Sequence, residues 1–421
     1  MVLAVFLLTI LGGTALNLLV ERLNLSRLTP EIPAEFGGVY DAAKYARAQE
    51  YLRENTRADL VRSVVVALVM AAFIALGGFG VVDQFARSVA GLQGPIWTGL
   101  VFMGSLGALS WLLGLPFRIH NTFGIEQRFG FNTTTPRTFV LDQLRALLLA
   151  ALLGGPLLAG IFWFFQRAGD RAWLWSWIGV TVFQLLVVFL APVLLLPLFN
   201  KFTPLPAGEL RAEIEAYARG QQFQLQGIFS MDGSKRSTKA NAFFTGFGAF
   251  RRIVLFDTLM KTQTTPELVA VLAHEVGHFK RGHIRRQLAL GILTTGLMFW
   301  LLSFFVAAGD GWNAPFFRAV GLPEPTVYAG LALFGILYAP LSRVVGLYGL
   351  HLSRKYEFEA DDYSADTYGK PAELGSALKK LSVDSLSNLH PHWLKVLTEY
   401  THPPVLERLA RLRTRVPGTS A

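Results

Sequence analysis

Val271-Leu272-Ala273-His274-Glu275-Val276-Gly277-His278 sets two histidines four residues apart with a carboxylate beside the first, and an apolar stretch at 287–308 begins only nine residues later. Residues four apart share a helical face, so both imidazoles can bind one cation while Glu275 reaches its open coordination position. In this H-E-x-x-H arrangement zinc polarises a carbonyl and acidifies its bound water, and the carboxylate carries the proton to a leaving amine. A plainer reading has His274 and His278 capping an amphipathic helix at a membrane surface, with Glu275 solvated. Either way, a polar helix outside the bilayer leads into a segment long enough to cross it.

The rest of the chain agrees with a membrane setting. Of 421 residues, 52% are hydrophobic and 16% charged, with 33 Phe and 9 Trp, which excludes an ordinary soluble domain. Seven stretches can span a bilayer, near 2–20, 63–82, 95–116, 146–165, 173–199, 287–308 and 326–350. The first has no Lys or Arg before it but Arg22 and Arg27 just after it, which favours a retained helix with its N-terminus outside. Eleven Lys and Arg lie in the 21–62 and 117–145 loops against four in the alternate loops (Arg87, Arg167, Arg171, Arg318), so the former are expected in the cytoplasm. The formal charge of +10 is scattered between apolar blocks, which argues against a nucleic-acid partner. With no cysteine, disulfides and thiolate ligands are excluded, and a metal must be held by His and carboxylates.

Four regions follow: 1–199 with spans one to five and two cytoplasmic loops, 200–286 as a cytoplasmic segment carrying the H-E-x-x-H helix, 287–350 with spans six and seven, and 351–421 as a cytoplasmic tail. The expected fold is mainly α, a polytopic membrane protein with a cytoplasmic α+β metalloprotease-like domain. Within 200–286 the pattern predicts a helix at 208–219, strands at 226–231 and 252–257, and a helix starting at Thr265-Pro266-Glu267. Tail helices are expected at 371–382 and 404–415.

A tetrahedral catalytic zinc takes a third protein ligand. The position ten residues after His274 is Ile284, and His283 falls half a turn away on a continuous helix, which reads as a surface or loop histidine. A better source follows the seventh span, where Glu357 and Asp361 are four apart in Ser353-Arg354-Lys355-Tyr356-Glu357-Phe358-Glu359-Ala360-Asp361. Glu357 can bind the ion while Asp361 accepts a hydrogen bond from a ligand imidazole. The same spacing also suits an acidic patch balancing nearby basic residues. On a continuous helix His278 would lie roughly 13 Å from the bilayer boundary, so the ion is expected at the cytoplasmic membrane surface.

Several further blocks carry a family resemblance. Besides 271–278 and 353–361 they are Phe123-Gly124-Ile125-Glu126 with Phe129-Gly130-Phe131-Asn132, Asn200-Lys201-Phe202-Thr203-Pro204-Leu205, Ser234-Lys235-Arg236-Ser237 with Asn241-Ala242-Phe243, Arg252–Leu259, and His402–Leu409. From about 117 onward the chain resembles the type I CAAX prenyl endopeptidases, seven-span gluzincin-like zinc metalloproteases. The resemblance implies one zinc ion with Glu357 as third ligand and Asp361 orienting the metal shell. It implies that His402 and Arg408 line the active site, that Asn241 holds the substrate backbone, and that the helices enclose a water-filled chamber. Lys239 departs from the histidine of eukaryotic relatives. Short loops and an end lacking a basic retention signal point to a bacterial, inner-membrane member.

The expected activity is endoproteolysis of a membrane-associated peptide or protein, including removal of the last three residues of a prenylated C-A-A-X end. Quality-control cleavage of misfolded membrane proteins uses the same chemistry. A scaffold or transporter with a structural metal is the non-enzymatic alternative, for which Gln184 and Arg343 within spans offer polar pathway residues. The sequence defines no oligomeric state.

Overall fold

Seven helices long and apolar enough to cross a membrane are present in the computed structural model, which describes residues 1–245, 252–306 and 311–415. The first five are α1 (Val2–Leu25), α2 (Ala42–Ala75), α3 (Pro95–Glu126), α4 (Pro136–Arg167) and α5 (Gly169–Leu198). The first four pack around buried Phe6, Phe102, Phe162, Phe317 and Leu333, and α5 packs through Trp173 and Trp177 against Ile161, Phe299 and Leu302. The expected second span, 63–82, is cut short. The helix ends at Ala75, and Gly77 at φ +72 turns the chain into a separate helix, Gly78–Ala90. Both helices are apolar, so hydropathy runs across a turn that only a residue without Cβ makes cheaply. The charged first half of α2 projects out of the span as one continuous helix.

Between spans five and six lie β1 (Phe202–Pro204), α6 (Glu209–Gly220), β2 (Gly227–Met231), β3 (Ala242–Thr245), β4 (Arg252–Phe256) and α7 (Thr265–Lys280). The sheet order is β1-β2-β4-β3, with β2 and β4 parallel, the other two pairs antiparallel, and β3 at an edge. Ile228, Ile253 and Leu255 bury one sheet face against Leu268, Leu272 and Val276 of α7, and Ile214 of α6 completes this core. Each such side chain contributes roughly 1.5–3 kcal/mol on full burial. Helix α7 starts one residue earlier than its proline suggests. Thr264 is its cap, in a reciprocal capping box with Glu267, and Pro266 follows in the first turn.

Spans six and seven are α8 (His283–Val306) and α9 (Val327–Tyr368). The H-E-x-x-H helix does not continue into span six, because α7 ends at Lys280 and Gly282 at φ +72 redirects the chain before α8. Helix α9 instead runs unbroken for 42 residues, from within the membrane to well past Asp361. The tail adds α10 (Pro371–Asp384), α11 (Trp393–Glu399) and α12 (Val405–Arg413).

A cavity of about 1070 Å³ opens between α1, α2, α3 and α9, with Asn17, Arg62, Arg118 and Arg343 among its walls. Arg343 donates to the carbonyl of Gly13 on α1 (3.4 Å). Arg343 thus reaches a neighbouring backbone beside a cavity, where intramembrane polar residues are usually found.

The membrane half and the sheet are joined by a dense polar seam. Arg236 donates through Nε and Nη2 to both oxygens of Asp142 on α4 (2.7 and 2.9 Å) and through Nη1 to Asn200 (2.9 Å). Residues 130–134 run beside 234–238, with Thr133 N donating to Arg236 O and Thr238 N to Phe131 O. Lys239 donates to the Tyr51 hydroxyl (2.7 Å) and pairs with Glu126 (3.0 Å), fastening the lead into β3 to α2 and α3. A partly buried bidentate arginine is worth more than an exposed ion pair. Arg236→Ala and Asp142→Ala should each lower the thermal midpoint in detergent, by an amount corresponding to about 1–3 kcal/mol. The double variant should fall little below the worse single one; simple additivity would show that the two residues act independently.

Candidate metal centre

Helix α7 brings His274 and His278 to one face, and α9 presents Glu357 against them. The approach depends on Gly277, which packs onto the backbone of α9. A Cβ at 277 would lie 3.0 Å from the Tyr363 Cβ and 3.2 Å from the Ala360 Cα, so any larger residue pushes the helices apart. Ser364 strengthens the crossing by donating to the carbonyl of Ala270 (2.8 Å).

His274 Nε2 and His278 Nε2 are 3.1 Å apart, and each lies near a different oxygen of Glu357, at 3.4 Å from Oε2 and 3.3 Å from Oε1. Ligand atoms of a tetrahedral zinc with bonds of roughly 2.0–2.1 Å are about 3.3 Å apart, so each of these separations is of the right size, with the two imidazoles meeting different oxygens of the one carboxylate. One donor atom from each residue fits within a 4.8 Å group. Glu357 Oε2 is buried and makes no hydrogen bond, as suits an atom aimed at a cation.

Asp361, fully buried, takes the other ring nitrogen of His274 on Oδ1 (2.8 Å). Arg408 from α12 is buried beneath the cluster and donates to both oxygens of Asp361 (2.8 and 2.6 Å), with Nη1 3.3 Å from Glu357 Oε2. Its guanidinium is spent on the two carboxylates. His402, just before α12, places Nε2 3.3 Å from Glu357 Oε1 yet keeps 63% of its side chain exposed, so it lies on the open side. Asn241 stands at the head of β3; its side chain caps its own strand by accepting from Ala242 N (2.8 Å), and its carbonyl accepts from Phe256 N (3.0 Å). A small cavity lined by Ala242, Phe243, Val271, Leu272 and Glu275 puts the next residues of β3 beside the carboxylate.

Burial alone would lower the His274 imidazole pKa, but its hydrogen bond to the Asp361 carboxylate and the adjacent Glu357 carboxylate outweigh burial and raise it to about 9. Burial also pushes the Glu275 carboxyl up, although the neighbouring histidines pull it back. A carboxyl moved toward neutrality is suited to take a proton and return it.

His283 is not a surface residue. Its side chain is 1% exposed, with Nδ1 3.1 Å from His278 Nδ1 and Nε2 2.9 Å from Glu359 Oε2. Extrapolating a straight helix misplaces it, because the turn at Gly282 swings it back under His278. Glu359, two residues beyond Glu357, is its partner. A histidine just beyond a glycine that ends the motif helix was the available signal.

Asp361→Asn should fold, because Arg408 and His274 retain an oxygen to contact, but should weaken zinc binding about 10–100-fold. Competition with a chromophoric chelator on the detergent-solubilised protein measures this, and unchanged affinity would remove Asp361 from the site.

The chain is similar to known proteins. A family model described as CAAX prenyl protease N-terminal, five membrane helices, matches residues 21–201, and one described as Peptidase family M48 matches 204–416. The CAAX prenyl protease 1 homolog of Arabidopsis thaliana is 32% identical, covering 96% of each chain. The probable CAAX prenyl protease 1 of Schizosaccharomyces pombe is 34% identical over 95% of this chain and 86% of its own. The crystal structure of S. mikatae Ste24p superposes with a TM-score of 0.90 at 29% identity, covering 98% of both chains. These relatives are eukaryotic, and a bacterial source finds no support among them. With residues 21–201 and 204–416 matched by the two family models and most of its length by these relatives, the chain belongs to peptidase family M48, on its CAAX prenyl protease branch.

Proposed function

We propose that this metallopeptidase holds one zinc ion on His274, His278 and Glu357 and cleaves peptide bonds at the cytoplasmic face of a membrane, removing the C-terminal tripeptide of prenylated C-A-A-X substrates. The observation that carries the reading is the grouping of two imidazole nitrogens 3.1 Å apart with a carboxylate whose two oxygens lie 3.4 and 3.3 Å from them, at the membrane-proximal ends of the segments bordering spans six and seven. The names of the relatives supply the substrate class, and the charge bias of the loops supports the cytoplasmic placement.

When bound, zinc supplies Lewis acidity to a carbonyl and to water. Glu275 accepts the proton of the attacking water and delivers it to the leaving amine. His402, on the open side, donates a hydrogen bond to the oxygen that gains charge. Arg408 holds Asp361 and Glu357 in place from below. Strand β3 leaves a sheet edge beside Glu275, where an extended peptide can add its backbone hydrogen bonds, and Asn241 stands at the start of that edge. Residues 200–286 and 351–421 thereby form one catalytic unit against the two transmembrane blocks.

Purified protein should release the tripeptide from a farnesylated C-A-A-X peptide. Glu275→Gln should reduce kcat by about 10²–10⁴ while keeping its zinc; undiminished turnover in that variant would sink the mechanism. His402→Ala should cost about 10²-fold in kcat, the scale of one lost oxyanion donor. A rise in KM alone would instead make His402 a substrate-binding residue.

A further inference from the structure

His278 has two ring nitrogens, and only one is explained by the metal. Nε2 faces His274 and Glu357, while Nδ1 points to the opposite side, 3.1 Å from Nδ1 of His283. A neutral imidazole that ligates through Nε2 carries its proton on Nδ1, so His278 must donate there. His283 can accept only if its own Nδ1 is bare, which leaves its proton on Nε2. That nitrogen is 2.9 Å from Glu359 Oε2, an ionised acceptor with Lys355 Nζ 3.8 Å from its other oxygen. One set of tautomers satisfies every donor and acceptor from the metal side to the carboxylate.

The ring of His283 is also fixed in plane. It stacks on Tyr356 with centroids 4.2 Å apart and an interplanar angle of 8°, and Tyr356 is itself 4% exposed. Gly282, at φ +72, supplies the left-handed turn that carries the histidine back beneath His278. Burial, stacking and two directed hydrogen bonds at one imidazole are more than packing requires.

We propose that His283 and Glu359 are positioning residues for the metal: a histidine relay that holds His278 in its Nδ1–H tautomer and fixes the direction of its Nε2. This is the counterpart, one residue longer, of the direct Asp361–His274 hydrogen bond. Three carboxylates at alternate positions of α9 then divide the work. Glu357 binds the ion, Asp361 orients the first histidine, and Glu359 orients the second through His283. The inference rests on His278 being a zinc ligand.

The test uses the full chain in detergent, stripped of metal and titrated with zinc against a chromophoric chelator, and separately with cobalt(II). His283→Ala should weaken zinc binding about 10–100-fold, and Glu359→Gln, which preserves shape at a partly exposed position, about tenfold. Glu359→Gln in the His283→Ala background should add nothing, because the relay is already cut. In combination with Asp361→Asn its effect should multiply, since the two arms serve different histidines. The visible spectrum of the cobalt(II) form should shift in both relay variants. If His283→Ala does not fold, Glu359→Gln decides alone. Zinc affinity within twofold of the parent and an unshifted cobalt spectrum in Glu359→Gln would overturn the relay. Equal zinc affinity in the parent and His278→Ala would instead overturn the ligand assignment on which it rests.

Discussion

The site exists because two helices from opposite ends of a membrane hairpin come close enough for their backbones to touch. At Gly277 the contact leaves no room for a side chain, and the ligands follow from that closeness. His274 and His278 sit on the same turns of α7 as Gly277, and Glu357 and Asp361 flank Ala360 on α9. Spreading the helices by the width of one methyl group would move Glu357 away from both histidines. Close-packed interiors do not absorb such a change locally, so the smallest residue of the motif governs the distance between its largest groups.

Burying that many charges in one place demands neutralisation. Glu357 and Asp361 are 5% and 0% exposed, and a lone carboxylate so placed would be strongly unfavourable. Arg408 answers both, with two hydrogen bonds to Asp361 and one close approach to Glu357. The arginine comes from the tail, the carboxylates from the end of a membrane span, and the histidines from the soluble segment. The seam at Arg236 and Lys239 does for the whole assembly what Arg408 does for the site, fastening the sheet to the membrane helices through bidentate and charged contacts.

Much of this was legible in the sequence because it is periodic. Histidines four apart and acids four apart report helical faces directly, and seven apolar runs report seven spans. Features that depend on a single backbone reversal were not legible. The apolar pattern passed unbroken over Gly77, and helical arithmetic passed over Gly282, placing His283 on the wrong side of its helix. Strands β1 and β3, three and four residues long, are too short for alternation to be seen. The blocks around Phe131, Asn200 and Arg236 stood out as patterns without evident chemistry, and they proved to be neighbours in one seam. Their meaning was spatial, and no spacing along the chain could supply it.

The order in which the parts of the centre occur along the chain sets when it can become active. During synthesis His274, Glu275 and His278 emerge first, but the third ligand arrives only after span seven, and Arg408 only in the last helix. A chain caught partway carries a histidine pair and a base with no carboxylate ligand, and a chain lacking only its tail carries buried acids with no counter-charge. On the proposed ligand set, the centre is complete only once the final membrane segment and the helix that carries Arg408 are both in place.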